Sequence, residues 1–142
     1  MCAKPVLKNK ELLRDAAYVN GQWVNESKEY FEVTDPATGE VIAKLPEQPV
    51  SAVEEAIDVA YESFKTFKNT SSRQRATWLR NIYDLIMENQ DDLAKILTWE
   101  NGKALAEAQG EVRYGASYFQ WFAEEAVRSY GVTIQPTVPS NR

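Results

Sequence analysis

Two residue types that often carry catalysis, histidine and cysteine, are nearly missing from this 142-residue chain. It contains no histidine and a single cysteine, Cys2. Histidine is the commonest metal ligand and the usual general base near neutral pH. A zinc site and a Ser-His or Cys-His nucleophile are therefore excluded, and carboxylates, lysines, tyrosines and hydroxyls remain for chemistry.

Two pairs of charged residues have spacings that suggest a role. Glu107 and Glu111 are four residues apart, which places both on one face of a helix. The sequence around them contains nothing that would make one an acid and the other a base, so a solvated face is the better interpretation. Glu124 and Arg128 have the same spacing and predict an ordinary ion pair within a helix.

The basic residues give no stronger signal. Arg73, Arg75 and Arg80 could hold an acidic substrate, but their position early in an amphipathic helix favours surface charge. Lys103 follows Gly102, yet the GxxxxGK[ST] pattern of a phosphate loop is missing. No residue is therefore assigned to catalysis, to cofactor binding or to a metal.

The N-terminal third predicts antiparallel strands. Asn20-Gly21, flanked by apolar residues over 18–24, is typical of a type I′ hairpin turn. A second pair is predicted over 30–34 and 40–45, joined by the turn Asp35-Pro36-Ala37-Thr38-Gly39.

From Pro49 the apolar period changes from two to 3.6 and predicts helices. Ser51 with Glu54 and Ser71 with Gln74 read as capping boxes for the first two. A third helix ends near Gly102. The predicted apolar faces comprise Val53, Ala56, Ile57, Ala60, Phe64 and Phe67 in the first helix, and Ala76, Leu79, Ile82, Tyr83 and Ile86 in the second.

The last predicted helix has two apolar faces. It runs from Lys103 to Tyr130, about 40 Å long at about 1.5 Å per residue. One seam comprises Leu105, Ala108, Val112, Gly115, Phe119, Phe122 and Ala126, and an adjacent line comprises Tyr114, Tyr118 and Trp121. Each ring brings about 150–250 Å² that needs cover, so the second line predicts an interface. Trp23, Trp78 and Trp99 lie in different elements, which favours packing over an aromatic cage.

Composition narrows the partners and the compartment. The net charge of −5 disfavours binding to nucleic acid or to an anionic membrane, so neither partner is expected. The sequence has no run of 18 apolar residues, so no membrane span is predicted. A single cysteine excludes a disulfide framework, and the opening 21 residues lack the apolar centre of a signal peptide, so a cytoplasmic location is expected.

Two segments resemble the aldehyde dehydrogenase superfamily. "VTDPATGEVIAKLPE" at 33–47 is similar to its entry strand pair, and "ENGKALAEAQGEVRYGASYFQWFAEEAVRSYGVTIQP" at 100–136 to its long helix and exit strand. Within the superfamily, the combination of 100–103, Gly110-Glu111, 121–126, Arg128 and 130–131 looks most like the fungal type of succinate-semialdehyde dehydrogenase.

The resemblance implies a fold and an organisation. The chain would be α+β as it stands, with N-terminal antiparallel hairpins, four helices and a short strand over Val132 to Pro136. It would form the N-terminal part of the α/β aldehyde dehydrogenase fold, with a tail over 1–16 and an incomplete domain over 17–142. The second aromatic face would meet domains that this chain lacks.

The resemblance also implies what this chain would not contain. The cofactor-binding βα units, the nucleophilic Cys, the general-base Glu and the substrate-binding arginines would all lie beyond Arg142. The full-length enzyme would be a homo-oligomer that oxidises a small aldehyde with NAD or NADP. No cofactor is expected to bind this chain alone, and Cys2 is no substitute for the nucleophile.

Three hypotheses follow. The favoured one is an N-terminal piece of an NAD(P)-dependent aldehyde dehydrogenase of the succinate-semialdehyde type, inactive by itself. The alternative is a non-catalytic helical module that binds a partner or a full-length homologue. The third is a small enzyme that uses only carboxylates and tyrosine.

Overall fold

The structure, a computed structural model, describes residues 4–131. A single 3-10 turn at Lys10–Leu12 precedes four strands and four helices. The elements are β1 (Ala17–Val19), β2 (Gln22–Val24), β3 (Glu29–Thr34), β4 (Val41–Glu47), α1 (Val50–Phe67), α2 (Ser72–Glu88), α3 (Gln90–Asn101) and α4 (Leu105–Ala126). The predicted hairpins and four helices are confirmed, whereas the predicted strand over Val132 to Pro136 lies outside the described residues.

Both strand pairs are antiparallel and form separate two-stranded sheets. Asn20 and Gly21 have φ values of 51° and 76°, which confirms the turn with positive φ at both central positions. In the second pair, the N–H groups of Ala37 and Gly39 donate to the Oδ1 and the carbonyl of Asp35, each at 2.8 Å. Asp35 thereby fixes the loop between β3 and β4.

The two helix starts behave differently. Ser71 caps α2 as predicted, because its hydroxyl accepts a hydrogen bond from the Gln74 N–H at 3.2 Å. The prediction for Ser51 is wrong. Pro49, with φ −68° and ψ 157°, already has the extended conformation of a cap, so α1 begins at Val50 and Ser51 lies within its first turn.

The core lies where α4 packs against α2 and α3. Its buried apolar residues are Ala94, Trp99, Ala108, Ala116 and Ala123. Four of these five are alanines, whose small side chains let neighbouring helices approach closely. α1 makes no extensive contact with another element of the described residues.

The last helix is shorter than predicted. Ala104 has an extended backbone with ψ 139°, so α4 begins only at Leu105. Its last turn tightens, because the Arg128 N–H donates to the Glu125 carbonyl at 2.8 Å. α4 therefore spans 22 residues, about 33 Å. Across residues 4–131, no helix combines the length and the apolar character needed to cross a membrane.

Candidate functional site

The candidate site is an exposed aromatic surface on α4. It comprises Tyr114, Tyr118, Trp121 and Phe122, which we call the α4 aromatic surface. Their exposed fractions are 63%, 48%, 62% and 54%, respectively. Steps of four and three residues keep the first three on one side of the helix. The expectation that a second face of this helix stays uncovered is confirmed among residues 4–131.

The register of α4 against its neighbours differs from the predicted seam. Ala116 and Ala123 are buried, whereas Gly115 and Phe122 of the predicted seam are exposed. Ala108 of the predicted seam is buried as expected, but Ala116 and Ala123 each follow a predicted seam position by one residue, about 100° around the helix. Alanines permit a closer approach of α2 and α3 than a phenylalanine would, so the helix turns Phe122 outward.

The two tyrosines of the surface contact each other directly. Their rings meet edge to face, with centroids 5.1 Å apart and an interplanar angle of 82°. The hydroxyl oxygens are 2.5 Å apart. The hydrogen bond with Tyr114 raises the pKa of Tyr118 above its usual value. A raised pKa makes the Tyr118 phenol a poorer candidate for a general base.

The acidic pair suggested by sequence spacing does not form a catalytic arrangement. Glu111 forms an ion pair with Lys103 Nζ across the start of α4. Glu107 is exposed and lies in the first turn, where a carboxylate favours the helix N-terminus. The interpretation of a solvated face fits these positions.

The predicted ion pair between Glu124 and Arg128 is wrong. Arg128 Nη1 contacts Glu125 Oε1 at 2.7 Å and uses only the backbone carbonyl of Glu124. The Glu124 carboxylate instead approaches Arg80 Nη2 of α2 at 3.5 Å. The packing of α2 beside α4 therefore decides this pairing, which sequence spacing cannot show.

The three arginines of α2 do not converge on one ligand. Arg75 donates to the Thr70 hydroxyl at 2.9 Å and to the Lys68 carbonyl at 3.0 Å, which satisfies the C-terminal end of α1. Arg80 forms the pair with Glu124, and Arg73 is exposed. These positions give no site for an acidic substrate.

An open apolar groove lies between α2 and the end of α4. Its volume is about 630 Å³, and its lining includes Phe67, Trp78, Ile82 and Phe122. The Phe67 and Trp78 rings stack with centroids 5.8 Å apart. The groove continues the α4 aromatic surface through Phe122, so uncovered apolar area extends across two helices.

The tryptophans form no cage within the described residues. Trp99 is 6% exposed and belongs to the core, as the packing interpretation requires. The Trp23 ring lies beside that of Tyr18, tilted by 57° with centroids 5.0 Å apart, and Trp23, like Trp78, keeps a substantial exposed fraction. Trp121 belongs to the α4 aromatic surface.

A second uncovered surface runs along α1. Its predicted apolar face is present, but Val53, Ile57 and Phe64 are 52%, 62% and 54% exposed. This face is amphipathic in sequence, so the helix forms with an apolar side that no other described element covers.

The total accessible area is too large for a self-sufficient domain. The chain exposes 11132 Å², whereas a folded monomer of 16.1 kDa exposes about 7,400 Å². The residues outside 4–131, counted as fully extended chain, account for at most about 2,300 Å². More than about 1,000 Å² of surface therefore lacks the cover that a complete domain provides.

No metal site is found in the part of the chain that the structure describes. Residues 4–131 contain no group of three or more acidic or cysteine side chains able to hold a metal ion. Cys2 lies outside these residues. Two carboxylates are buried, which the sequence did not predict: Asp35, 2% exposed, and Asp92, 3% exposed. Asp35 opens a predicted turn, and Asp92 stands in the first turn of a helix, so both had a weak local signal.

Comparisons with known proteins identify close relatives of this chain. The sequence model of the aldehyde dehydrogenase family matches residues 23–142. The chain is 64% identical to succinate-semialdehyde dehydrogenase [NADP(+)] of Saccharomyces cerevisiae over 99% of its own length and 28% of the relative. It is 43% identical to glutarate-semialdehyde dehydrogenase of Pseudomonas putida over 96% of its length and 28% of that relative.

A solved structure gives the same result for the fold. The crystal structure of succinate-semialdehyde dehydrogenase from Burkholderia pseudomallei matches with a TM-score of 0.88 and 40% identity. The match covers 94% of this chain and 28% of that one. The chain thus spans about 28% of the length of these relatives and corresponds to an N-terminal part of their fold. This result favours the hypothesis of an enzyme segment over that of a free-standing interaction module.

Proposed function

Because the chain belongs to the aldehyde dehydrogenase family, we propose that it is the N-terminal part of an enzyme that oxidises succinate semialdehyde to succinate with NADP or NAD. The observation that carries the proposal is the 64% identity to the yeast NADP(+) enzyme over 99% of the chain. The 43% identity to the glutarate-semialdehyde enzyme makes the longer substrate the second choice.

The described residues do not by themselves fit a dinucleotide cofactor. Such cofactors bind at the carboxyl ends of parallel strands, with the pyrophosphate at the N-terminus of the following helix. Residues 4–131 form two separate antiparallel pairs and contain no parallel strand pair. We therefore place cofactor binding and the chemical step in the remainder of the enzyme and assign neither to a residue of this chain.

The role that we propose for this chain is structural support of the catalytic part. The α4 aromatic surface and the exposed face of α1 would be covered by the rest of the enzyme. Covering about 150 Å² of one large ring is worth about 4 kcal/mol at about 25 cal/mol per Å². Several rings together therefore supply ample free energy for docking, even after the cost of ordering the partner segments.

Two further properties are proposed for the whole enzyme. We expect a homo-oligomer that acts on a small aldehyde, in line with the family expectation. We also expect a cytoplasmic location, supported by the single cysteine, which suits a reducing compartment.

A chimera tests the proposal. Residues 1–142 replace the matching segment of the yeast enzyme, and NADPH formation is measured with succinate semialdehyde and with glutarate semialdehyde. We expect a soluble chimera whose kcat/KM for succinate semialdehyde stays within about tenfold of the parent, because the exchanged segment is 64% identical to that of the yeast enzyme. An insoluble or inactive chimera would contradict the proposal, as would a preference for glutarate semialdehyde.

The isolated chain provides the complementary measurement. We expect no NADPH formation from either semialdehyde, since no described residue forms a cofactor site. Turnover by the purified chain, abolished by substitution of a residue within it, would overturn the assignment of chemistry to the remainder and would favour the small-enzyme hypothesis.

A further inference from the structure

Residues 4–14, which we call the leading strap, are held on α3 by one buried carboxylate. Asp92 is 3% exposed and accepts a hydrogen bond from the backbone N–H of Asn9 at 2.8 Å. Its other oxygen accepts from Lys95 Nζ at 3.2 Å. Lys95 also donates to the carbonyl of Val6 at 3.1 Å. Asp92 and Lys95 therefore bind the backbone of the strap at two residues, Asn9 and Val6, respectively.

Asn9 is suited to this contact because each of its polar groups has a separate partner. Its backbone N–H reaches Asp92, and its side-chain oxygen accepts from the Glu11 N–H at 3.1 Å. Its side-chain amide donates to Asn89 Oδ1, just before α3, at 3.3 Å. Asn9 thus joins the 3-10 turn of the strap to the start of α3.

The leading strap also connects the first hairpin to the helices. The β1–β2 pair makes no extensive contact with any helix of the described residues. Within 4–131, the hydrogen bonds and ion pairs that join residues 4–24 to the helical part all lie around the first half of α3. Arg14, at the end of the strap, lies over the Trp23 ring of β2 at 5.2 Å. A chain of contacts therefore connects α3 to the hairpin through the strap.

We propose that Asp92 and Lys95 form a latch that holds the leading strap and the β1–β2 hairpin on the helices. The latch opens when the charge of the Asp92 carboxylate is removed, and the helices stay folded. The physical reason is that hydrogen bonds to an ionised acceptor are roughly twice as strong as neutral ones. A neutral group would also leave the Lys95 ammonium without its nearest anion.

The experiment compares two first-turn acids of α3 in the full 142-residue chain. Asp92→Asn removes the latch charge. Asp91→Asn is the matched control, because it removes a charge from the same helix turn but only a distant contact with Lys8, at 3.9 Å. Limited proteolysis with thermolysin, which cleaves before leucine, is followed by mass spectrometry at Leu12 and Leu13, and circular dichroism reports the helices.

A second variant keeps the test decisive if Asp92→Asn disturbs α3. Asn9→Pro deletes the N–H that donates to Asp92, together with the side-chain hydrogen bonds to Glu11 and Asn89, and leaves the helix sequence intact. We expect both variants to be cleaved about tenfold faster than the wild type with an unchanged helical signal. We expect Asp91→Asn to stay within twofold. The double variant should be cleaved no faster than the faster single variant, because both changes open one latch.

Three results would overturn the proposal. The first is an unchanged cleavage rate in Asn9→Pro. The second is equal acceleration by Asp91→Asn and Asp92→Asn. The third is a double variant whose acceleration of cleavage equals the product of the two single accelerations. Such independent effects would mean that the two residues do not act on the same contact.

Discussion

The same substitution at two tryptophans on neighbouring helices should affect the stability of the isolated chain to very different extents. Trp99 of α3 is 6% exposed and lies in the core, whereas Trp121 of α4 is 62% exposed and lies on the α4 aromatic surface. We expect Trp99→Ala to destabilise the chain itself. Trp121→Ala should leave the chain nearly unchanged and weaken only its contact with the rest of the enzyme.

The exposed fractions set the magnitudes. Removing a buried tryptophan side chain costs about 3–5 kcal/mol, because apolar contacts are lost and a cavity remains. An exposed side chain away from caps and cores changes the free energy of unfolding by about 0.5 kcal/mol or less. In the whole enzyme, the exposed 62% of Trp121, about 150 Å² of a ring of about 250 Å², would contribute up to about 4 kcal/mol once covered.

Thermal melting followed by circular dichroism measures both effects. In the isolated chain we expect Trp99→Ala to lower Tm by about 10 °C or more and Trp121→Ala to change it by less than about 3 °C. The same two substitutions are then made in the chimera with the yeast enzyme. There, both should lower Tm, because the remainder of the enzyme buries Trp121.

Equal destabilisation of the isolated chain by both substitutions would refute the reasoning, because Trp121 would then be packed within the chain. A chimera whose Tm is unchanged by Trp121→Ala would also refute the reasoning. In that case the α4 aromatic surface would remain in solvent in the whole enzyme, and its cover could not be the reason for the rings.

Two further predictions concern the backbone and the pH. Gly102→Ala should cost about 1 kcal/mol more in the free energy of unfolding than Gly39→Ala. Both glycines have φ near 75°, but only at Gly102 would the new Cβ meet another atom, Pro36 Cγ at 3.0 Å. The hydrogen bond from the Asn9 N–H lowers the pKa of Asp92 in the folded chain. The ionised Asp92 carboxylate therefore contributes its full stabilisation above its unfolded pKa of 3.8, and this stabilisation is lost as the pH falls through the folded pKa. The Tm gap between wild type and Asp92→Asn should therefore hold steady above about pH 5 and narrow below about pH 4.

Each of these two predictions has a clear contrary result. If urea unfolding shows the same decrease in the free energy of unfolding for the two glycine variants, the contact with Pro36 relaxes without cost. A Tm gap that stays constant down to pH 3 would mean that Asp92 does not titrate with folding.

Local signals in the sequence were sufficient for most of the secondary structure. Asn20-Gly21 fixes a turn because few other dipeptides tolerate positive φ at both positions. Gly102 ends α3 for the same reason. Ser51 shows the limit of such signals. A serine three residues before a glutamate reads as a cap, but Pro49 supplies the extended conformation two residues earlier, and the helix starts there.

Side-chain partners across elements could not be obtained in this way. The separation of 80 or more residues between Asn9 and its partners at Asn89 and Asp92 leaves no local pattern. The pairing of Glu124 with Arg80 rather than with Arg128 likewise depends on how α2 lies beside α4.

The sequence alone determined the order of the hairpins and helices, the lack of histidine chemistry and the excess of rings on the last helix, because each depends on residue identity or on neighbours a few positions away. The tertiary structure decided which face of α4 is buried. A helix with apolar residues on two sides has no preferred side until its neighbours pack, and α2 and α3 select the alanines Ala108, Ala116 and Ala123 since these allow the closest approach. The rings are left on the outside as a consequence of that choice.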